Sequence, residues 1–435
     1  MTQTLSLPWG RKDSVSLQLP SEWELVSRLV PSPRSSVSDP TEETQRSLAN
    51  PIGLPRLTEL ARGKTRIALV IDDNSRPTPV RQILPAILAE LGAAGVEPGQ
   101  ISLIPALGLH RSLSQIEAAQ RTGLPDLGGM RLVTHDCDDP GLIHLGRTRR
   151  GTPVLANAAV ANAELVILIG CIEPHIIASF GGGYKNLFPG LAGRASIAHN
   201  HSLNCRPDTF NMVGQPIEAN PMRLDLEEAG AMLKPPVFII NAVLNSAAQL
   251  VQIVSGHPIQ AHRAGVKVSA GIFGVSIPGQ ADVVITDSHP MDQDLRQGVK
   301  ALANTIWAVR PGGVLITLVR AEEGLGVFGL ANRKLPLGRG ALKALAPVLL
   351  PLVPKLKLKG LGEEDKFFLY FALQAMHRAT LLMYAPTIPL EIHPRLPFVE
   401  FSDQAQDTIT RAIQVVHGHV RVLVFPYGGS TYPIL

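Results

Sequence analysis

The sequence predicts an α/β fold of two α/β domains with mainly parallel sheets and a site in the cleft between them. Three observations carry this. Short apolar runs that read as buried strands alternate with amphipathic helical stretches. The alternation starts at residue 65 and restarts after about residue 265. Polar, titratable residues gather just after the strands of the first half, at the strand ends where open parallel sheets bind ligands.

In chain order, Val15, Leu17 and Leu19 alternate with polar residues and predict a short strand. Residues 31–51, with Pro, Ser and Thr and little periodicity, predict a loop and a short helix. Residues 66–71 form an apolar run of the kind buried parallel strands carry. A polar loop at 72–79 and an amphipathic helix at 80–91 follow. Residues 101–106 predict the next strand, 114–120 a helix and 131–134 another strand. Residues 163–170 are the strongest strand, and the segment after them holds three consecutive glycines. In the second half, 281–286 reads as a strand, 292–309 as a helix, 314–319 as a strand after Pro311-Gly312-Gly313, and 421–425 as a strand. This predicts an N-terminal domain at 1–265 carrying the chemistry and a C-terminal domain at 275–435 closing over it. The last strand is a candidate to return to the first domain.

Composition bounds the function. Of 435 residues, 45% are hydrophobic and 17% charged, which excludes a disordered chain and a coiled coil. Forty basic residues against 36 acidic ones make no nucleic-acid footprint. Cys137, Cys171 and Cys205 form no CxxC pair, so neither a zinc knuckle nor a disulfide framework is expected, and a reduced cytoplasm fits. Met1 to Gly10 lack the pattern of a signal peptide. The longest apolar stretch, 341–356, is broken by Pro347, Pro351 and Pro354 and cannot span a bilayer. The expectation is a soluble cytoplasmic protein with no membrane and no nucleic-acid partner. One local asymmetry stands out: Arg333, Lys334, Arg339, Lys343, Lys355, Lys357 and Lys359 have no acid among them. They read as a solvated face or lid, or as a funnel for an anion.

The first strand leads to Asp72, Asp73, Asn74, Ser75 and Arg76, the second to His110 and Arg111, and the third to Glu173, His175, Lys185, His199 and His201. Such convergence marks a site. Gly181-Gly182-Gly183-Tyr184-Lys185 is not a P-loop, since Asn186 follows the lysine. A glycine-rich backbone can still cradle a phosphate, or simply permit a tight turn. Two imidazoles on different loops suit proton transfer on two faces of one carbon, the demand of a racemase. Three histidines could equally make a zinc site with an open position for water.

The run Glu173-Pro174-His175-Ile176-Ile177-Ala178-Ser179-Phe180-Gly181-Gly182-Gly183-Tyr184-Lys185-Asn186-Leu187-Phe188-Pro189-Gly190, continuing to His199-Asn200-His201-Ser202, closely resembles the signature of the nickel-dependent lactate racemase family. Asp73-Asn74-Ser75-Arg76-Pro77, Gly108-Leu109-His110-Arg111 and Arg296-Gln297-Gly298-Val299-Lys300 match in order as well. The resemblance implies an isomerase that interconverts stereoisomers at C2 of a 2-hydroxy acid, lactate or a related short-chain acid. It implies hydride transfer to and from a nickel pincer, pyridinium-3,5-bisthiocarboxylic acid mononucleotide, through a 2-oxo acid. Lys185 would join that cofactor covalently and His201 would ligate nickel. His110 and His175 would be the acid/base groups. Arg76 and Lys300 would bind the carboxylate, with Asp73 and Gln297 orienting it. Gly181, Gly182 and Gly183, with Asp73 and Arg76, would approach the cofactor. The enzymes that build the cofactor would be transient partners.

The sequence departs from the family pattern at Asn74, Gly182, Tyr184 and Arg296, and at Phe367 or Phe368 where a Trp is usual. Arg296 could meet a second acidic group or sit at the surface. Two alternatives stay open: a zinc hydrolase using His110, His175 and His201, and a non-catalytic protein binding an anionic metabolite.

Overall fold

Ile67–Asp72 and Leu165–Cys171 are strands buried along their whole length, as expected of a parallel sheet covered on both faces. The computed structural model describes residues 3–434 apart from 11, 210, 327, 333 and 356–362, and at 363–365 the backbone alone. The first six-stranded sheet runs Leu250–Gly256, Val237–Leu244, Leu165–Cys171, Ile67–Asp72, Ile101–Ala106, Arg131–Leu132. All its pairings are parallel except the first. From Ile67–Asp72 the chain first builds outward through Ile101–Ala106 and then returns to add Leu165–Cys171 on the other side. The strand order therefore reverses between Ile67–Asp72 and Leu165–Cys171, which opens a crevice at their carboxyl ends.

Helices cover the sheet. Pro40–Ala49 packs on Val80–Ala93 and on Leu250–Gly256, while Gln260–Phe273 packs on the two antiparallel strands. Pro40–Ala49 starts where Asp39 accepts hydrogen bonds from the N–H groups of Thr41 and Glu42, with Pro at the first helical position.

The second sheet is parallel throughout, in the order Glu400–Ser402, Thr380–Tyr384, Val309–Leu318, Ala281–Asp287, Val420–Phe425, Trp23–Arg28. Here the expected boundaries need correction. Trp23–Arg28 pairs with Val420–Phe425, so the first residues of the chain complete the second sheet rather than the first. Val420–Phe425 stays in the second sheet, and only the short terminal strand Tyr432–Ile434 reaches back, to Gly274–Ser276. A local pattern near residue 23 carries no information about a partner some 400 residues away.

The hairpin Gln3–Trp9 with Asp13–Leu19 lays Leu5, Leu7, Leu17 and Leu19 onto Val283, Ile285, Val314 and Ile316. Leu17 is fully buried there. Leu17→Ala is expected to lower the unfolding free energy by about 2–5 kcal/mol, read as a shift of the urea midpoint, although the residue lies far from the cleft.

The helix expected at 292–309 is Leu295–Thr305. Its start is set by Asp294, whose carboxylate accepts from Gln297 N–H at 2.7 Å. Among the described residues, no helix is long and apolar enough to cross a membrane.

Candidate active site

Asp73 and Arg76 leave the end of Ile67–Asp72, and His110 follows Ile101–Ala106. His175 sits on Pro174–His175, a two-residue strand paired antiparallel with Ser179–Phe180 just beyond Leu165–Cys171. Lys185 lies on the single 3-10 turn Gly183–Asn186, and His201 on the helix Arg194–Ser202. The second half brings Arg296, Gln297 and Lys300 on the first turns of Leu295–Thr305. All nine of these side chains line one cleft, with a cavity of about 180 Å³. Ile176, Val299, Phe367 and Phe368 give it apolar walls.

The two catalytic candidates are held in opposite ways. His110 Nδ1 meets the Asp73 carboxylate. Asp73 also accepts from Ser75 N–H at 3.0 Å and from Ser75 Oγ at 2.5 Å. A carboxylate at Nδ1 puts the proton there and the lone pair on Nε2, the arrangement of a base. His175 Nδ1 instead faces the backbone N–H groups of Ile177 and Ala178, at 3.3 and 3.2 Å. It accepts, so the ring proton sits on Nε2. Burial, then the charges of Lys185, Arg76, Lys300 and His201, push the His175 pKa well below the ordinary imidazole value, and the ring stays neutral.

Cations crowd the cleft. Burial, with Arg76 and Arg223 nearby, pulls the Lys185 amine down to about 7. Burial and Arg76 pull Lys300 down to about 8. Arg76 pairs with Glu173, which burial would raise but which Arg76 and Lys300 hold below the usual carboxylate range. Asp72 does not face substrate as a free charge. It is tied to Arg121 at 2.5 Å and to Thr78, and Arg121 also donates to the Arg76 carbonyl at 3.0 Å. Arg296 is no surface residue: it lines the cleft with its guanidinium 6.0 Å from the Phe368 ring centre.

Comparison with known proteins places the chain in a family. Residues 10–211 match the family model described as the lactate racemase N-terminal domain. The lactate racemase of Thermoanaerobacterium thermosaccharolyticum is 31% identical over 331 residues, covering 75% of this chain and 76% of that protein. The chain belongs to the lactate racemase family. The lactate racemase of Lactiplantibacillus plantarum is 30% identical over 292 residues, covering 66% of this chain and 68% of that one. The solved lactate racemase apoprotein from T. thermosaccharolyticum superposes with a TM-score of 0.85 over the full length of both chains, at 26% identity. A Thermotoga maritima protein shares the fold with a TM-score of 0.66 at 14% identity, covering 92% of this chain and 99% of that one. Membership of the lactate racemase family makes this protein an enzyme, a racemase.

Within this lactate racemase fold, the three glycines take a different place from the one expected. Gly181, Gly182 and Gly183 do not line the cleft. The N–H of Gly181 bonds the Glu173 carbonyl at 2.7 Å and that of Gly183 bonds Asn241 Oδ1 at 2.7 Å, so neither is presented to a phosphate. The glycines serve the turn instead. Gly182 and Gly183 have φ of +74° and +62°, and a Cβ on Gly182 would lie 2.7 Å from Asn241 and Ile172. Gly182→Ala is expected to cost about 1–3 kcal/mol, visible in the urea midpoint.

Among the described residues, the three-member group with ligand atoms within 4.8 Å of one another is Asp136, Cys137 and Asp138, not His110, His175 and His201, so the zinc alternative has no such triad to rest on. Asp138 of that group is already paired with Arg194.

The described members of the basic stretch do not form a funnel lining. Arg339 pairs with Glu400 and Lys343 donates to Thr380, and no described member of the stretch borders the cleft. Arg333, Lys357 and Lys359 lie outside the described residues.

Sequence reasoning did not single out Arg121, Arg223, Asn241 or His262, which brace the site from behind. The one available signal was Arg223 among the apolar residues Met222, Leu226 and Ala229 of a short helix.

Proposed function

We propose that this enzyme racemises a short-chain 2-hydroxy acid, lactate or a close relative, at C2, with a nickel-pincer nucleotide joined to Lys185. The observation that carries this reading is the opposed polarity of His110 and His175 across a cleft that also holds Lys185, His201 and a cationic wall.

The donor set fits the cofactor. A lysine pulled down to about 7 has its nucleophilic neutral amine at neutral pH. His201 donates Nδ1–H to the Ile197 carbonyl at 2.7 Å. That bond fixes the lone pair on Nε2, as in metal-ligating imidazoles, and imidazole suits nickel. When bound, the cofactor supplies a reversible acceptor for the C2 hydride.

The chain's own residues do the rest. Arg76 and Lys300, with Gln297 and Arg296, hold the substrate carboxylate against the second-half helix. His110 Nε2 takes the hydroxyl proton, and Asp73 stabilises the imidazolium that results. His175 stays neutral and holds the substrate oxygen from the other loop by donating an Nε2–H hydrogen bond. The carboxylate clamp holds the planar 2-oxo acid while it exposes its other face, and the proton that His110 took returns to the substrate oxygen as the hydroxyl re-forms. The apolar walls keep water from the reacting carbon. In this reading the enzymes that build the cofactor are transient partners. The compartment in this reading is the cytoplasm, which suits three buried cysteines that form no disulfide.

The test is co-expression with the cofactor-building enzymes, followed by intact-protein mass spectrometry, nickel analysis and chiral chromatography of lactate. An adduct on Lys185, nickel near one per chain and loss of enantiomeric excess are expected. An unmodified chain without nickel and with no interconversion would overturn the reading.

A further inference from the structure

Behind the cleft lies a fully buried arginine that the chemistry above does not use. Arg223, on the helix Pro221–Ala231, is 0% exposed. Its guanidinium donates to the carbonyls of Phe180 at 2.6 Å, Gly181 at 3.2 Å and Gly182 at 3.1 Å. His262 joins it, with Nε2 2.8 Å from both the Gly181 carbonyl and Arg223. The nearest carboxylate, Glu227, is 3.8 Å away and is engaged at 2.7 and 2.9 Å by Arg263. A buried guanidinium is expensive to desolvate, and this one is placed on three successive backbone oxygens rather than on a dedicated acid.

Those oxygens belong to the turn that feeds directly into Gly183–Asn186, the turn carrying Lys185. The same helix fixes the other side. Gly230 lies so close to the Tyr184 ring that an added Cβ would come within 2.3 Å of it. Asn241 holds Gly183 N–H from the sheet. The backbone around Lys185 is thus pinned by two helices and one strand.

We propose that Arg223, with His262, is the positioning residue for Lys185: its fork holds the Phe180–Gly182 carbonyls so that the lysine amine is presented at the cleft for covalent attachment. The inference rests on the reading that Lys185 carries the cofactor. In support, the Arg223 charge also acts on the Lys185 amine.

Two readouts test it. In the cofactor-free chain, acylation of Lys185 by a small N-hydroxysuccinimide ester is followed by peptide mass spectrometry, with exposed Lys234 as internal reference. In co-expressed protein, the fraction of chain bearing the adduct is read from the intact mass. Arg223→Met, similar in length, is expected to lower the Lys185-to-Lys234 labelling ratio several-fold and adduct loading at least tenfold, with unchanged circular dichroism. Arg223→Lys, which keeps one donor group, is expected to recover part of both. Folded Arg223→Met with wild-type labelling and loading would overturn the proposal.

If Arg223→Met does not fold, Arg223→Lys and Gly230→Ala carry the test, and wild-type loading in both would count equally against it. A wild-type chain that takes up no cofactor would instead refute the attachment reading, and the labelling ratio would then decide the role of Arg223 by itself.

Discussion

Replacing His110 by Ala is expected to slow lactate interconversion by ~10²- to 10⁴-fold, the usual worth of a positioned acid/base group. The Lys185 adduct and the nickel content should stay intact. The geometry sets this expectation. His110 is the cleft imidazole backed by a carboxylate, and burial that would otherwise raise Asp73 is overcome by the hydrogen bond and charge of His110, with help from Ser75 and Arg76. Asp73 therefore stays ionised and holds the Nδ1 proton, so Nε2 is the basic atom. Asp73→Asn keeps the contact but not the charge, and is expected to give a smaller loss because the imidazolium is no longer stabilised. Interconversion rates by chiral chromatography, set beside intact masses of the same preparations, make the check. Wild-type rates in loaded His110→Ala protein would remove His110 from the chemistry.

The second large effect concerns Lys185. Lys185→Met is expected to eliminate the adduct and bring racemisation below detection, because no other amine takes its place on the Gly183–Asn186 turn. The same substitution has a consequence for stability that needs no cofactor. Burial and neighbouring cations put the folded amine at about 7, whereas an unfolded lysine titrates near ~10.4. Between those values the unfolded chain binds more protons than the folded one. Stability of the cofactor-free chain therefore rises with pH across that window, and the destabilisation is fully present below pH 7. Lys300, at about 8, adds a second rise above that pH. Lys185→Met is expected to remove the contribution that begins near 7 and to melt higher than wild type at pH 6–7. A series of thermal melts from pH 6 to 10 reads this directly. Parallel curves for the two proteins would show that the Lys185 amine is not held in its neutral form.

Much of the candidate site was legible because its chemistry is carried by short, ordered segments. Asp73 to Arg76, His110, His175 to Lys185 and the Arg296 to Lys300 turn each follow a strand or open a helix that local apolar periodicity reveals. The brace was not legible. Arg223 and His262 stand 38 and 77 residues beyond Lys185 in the sequence, and nothing near them signals that their side chains close over the Gly181 carbonyl. The three glycines misled in the same way. Their composition is compatible with a phosphate cradle, but where their N–H groups point is decided by Glu173 and Asn241 across the fold.

By itself, the sequence determined the α/β class, the order of the main strands and which titratable groups stand at the carboxyl ends of the first sheet. Those features depend on near neighbours in the chain: apolar runs, caps and turns. Only the tertiary structure decided that Trp23–Arg28 completes the second sheet. It alone made one imidazole carboxylate-backed and the other backbone-backed. Strand pairing, proton placement and the charge state of a buried amine are set by distances through space. Those distances exist only once the chain has folded.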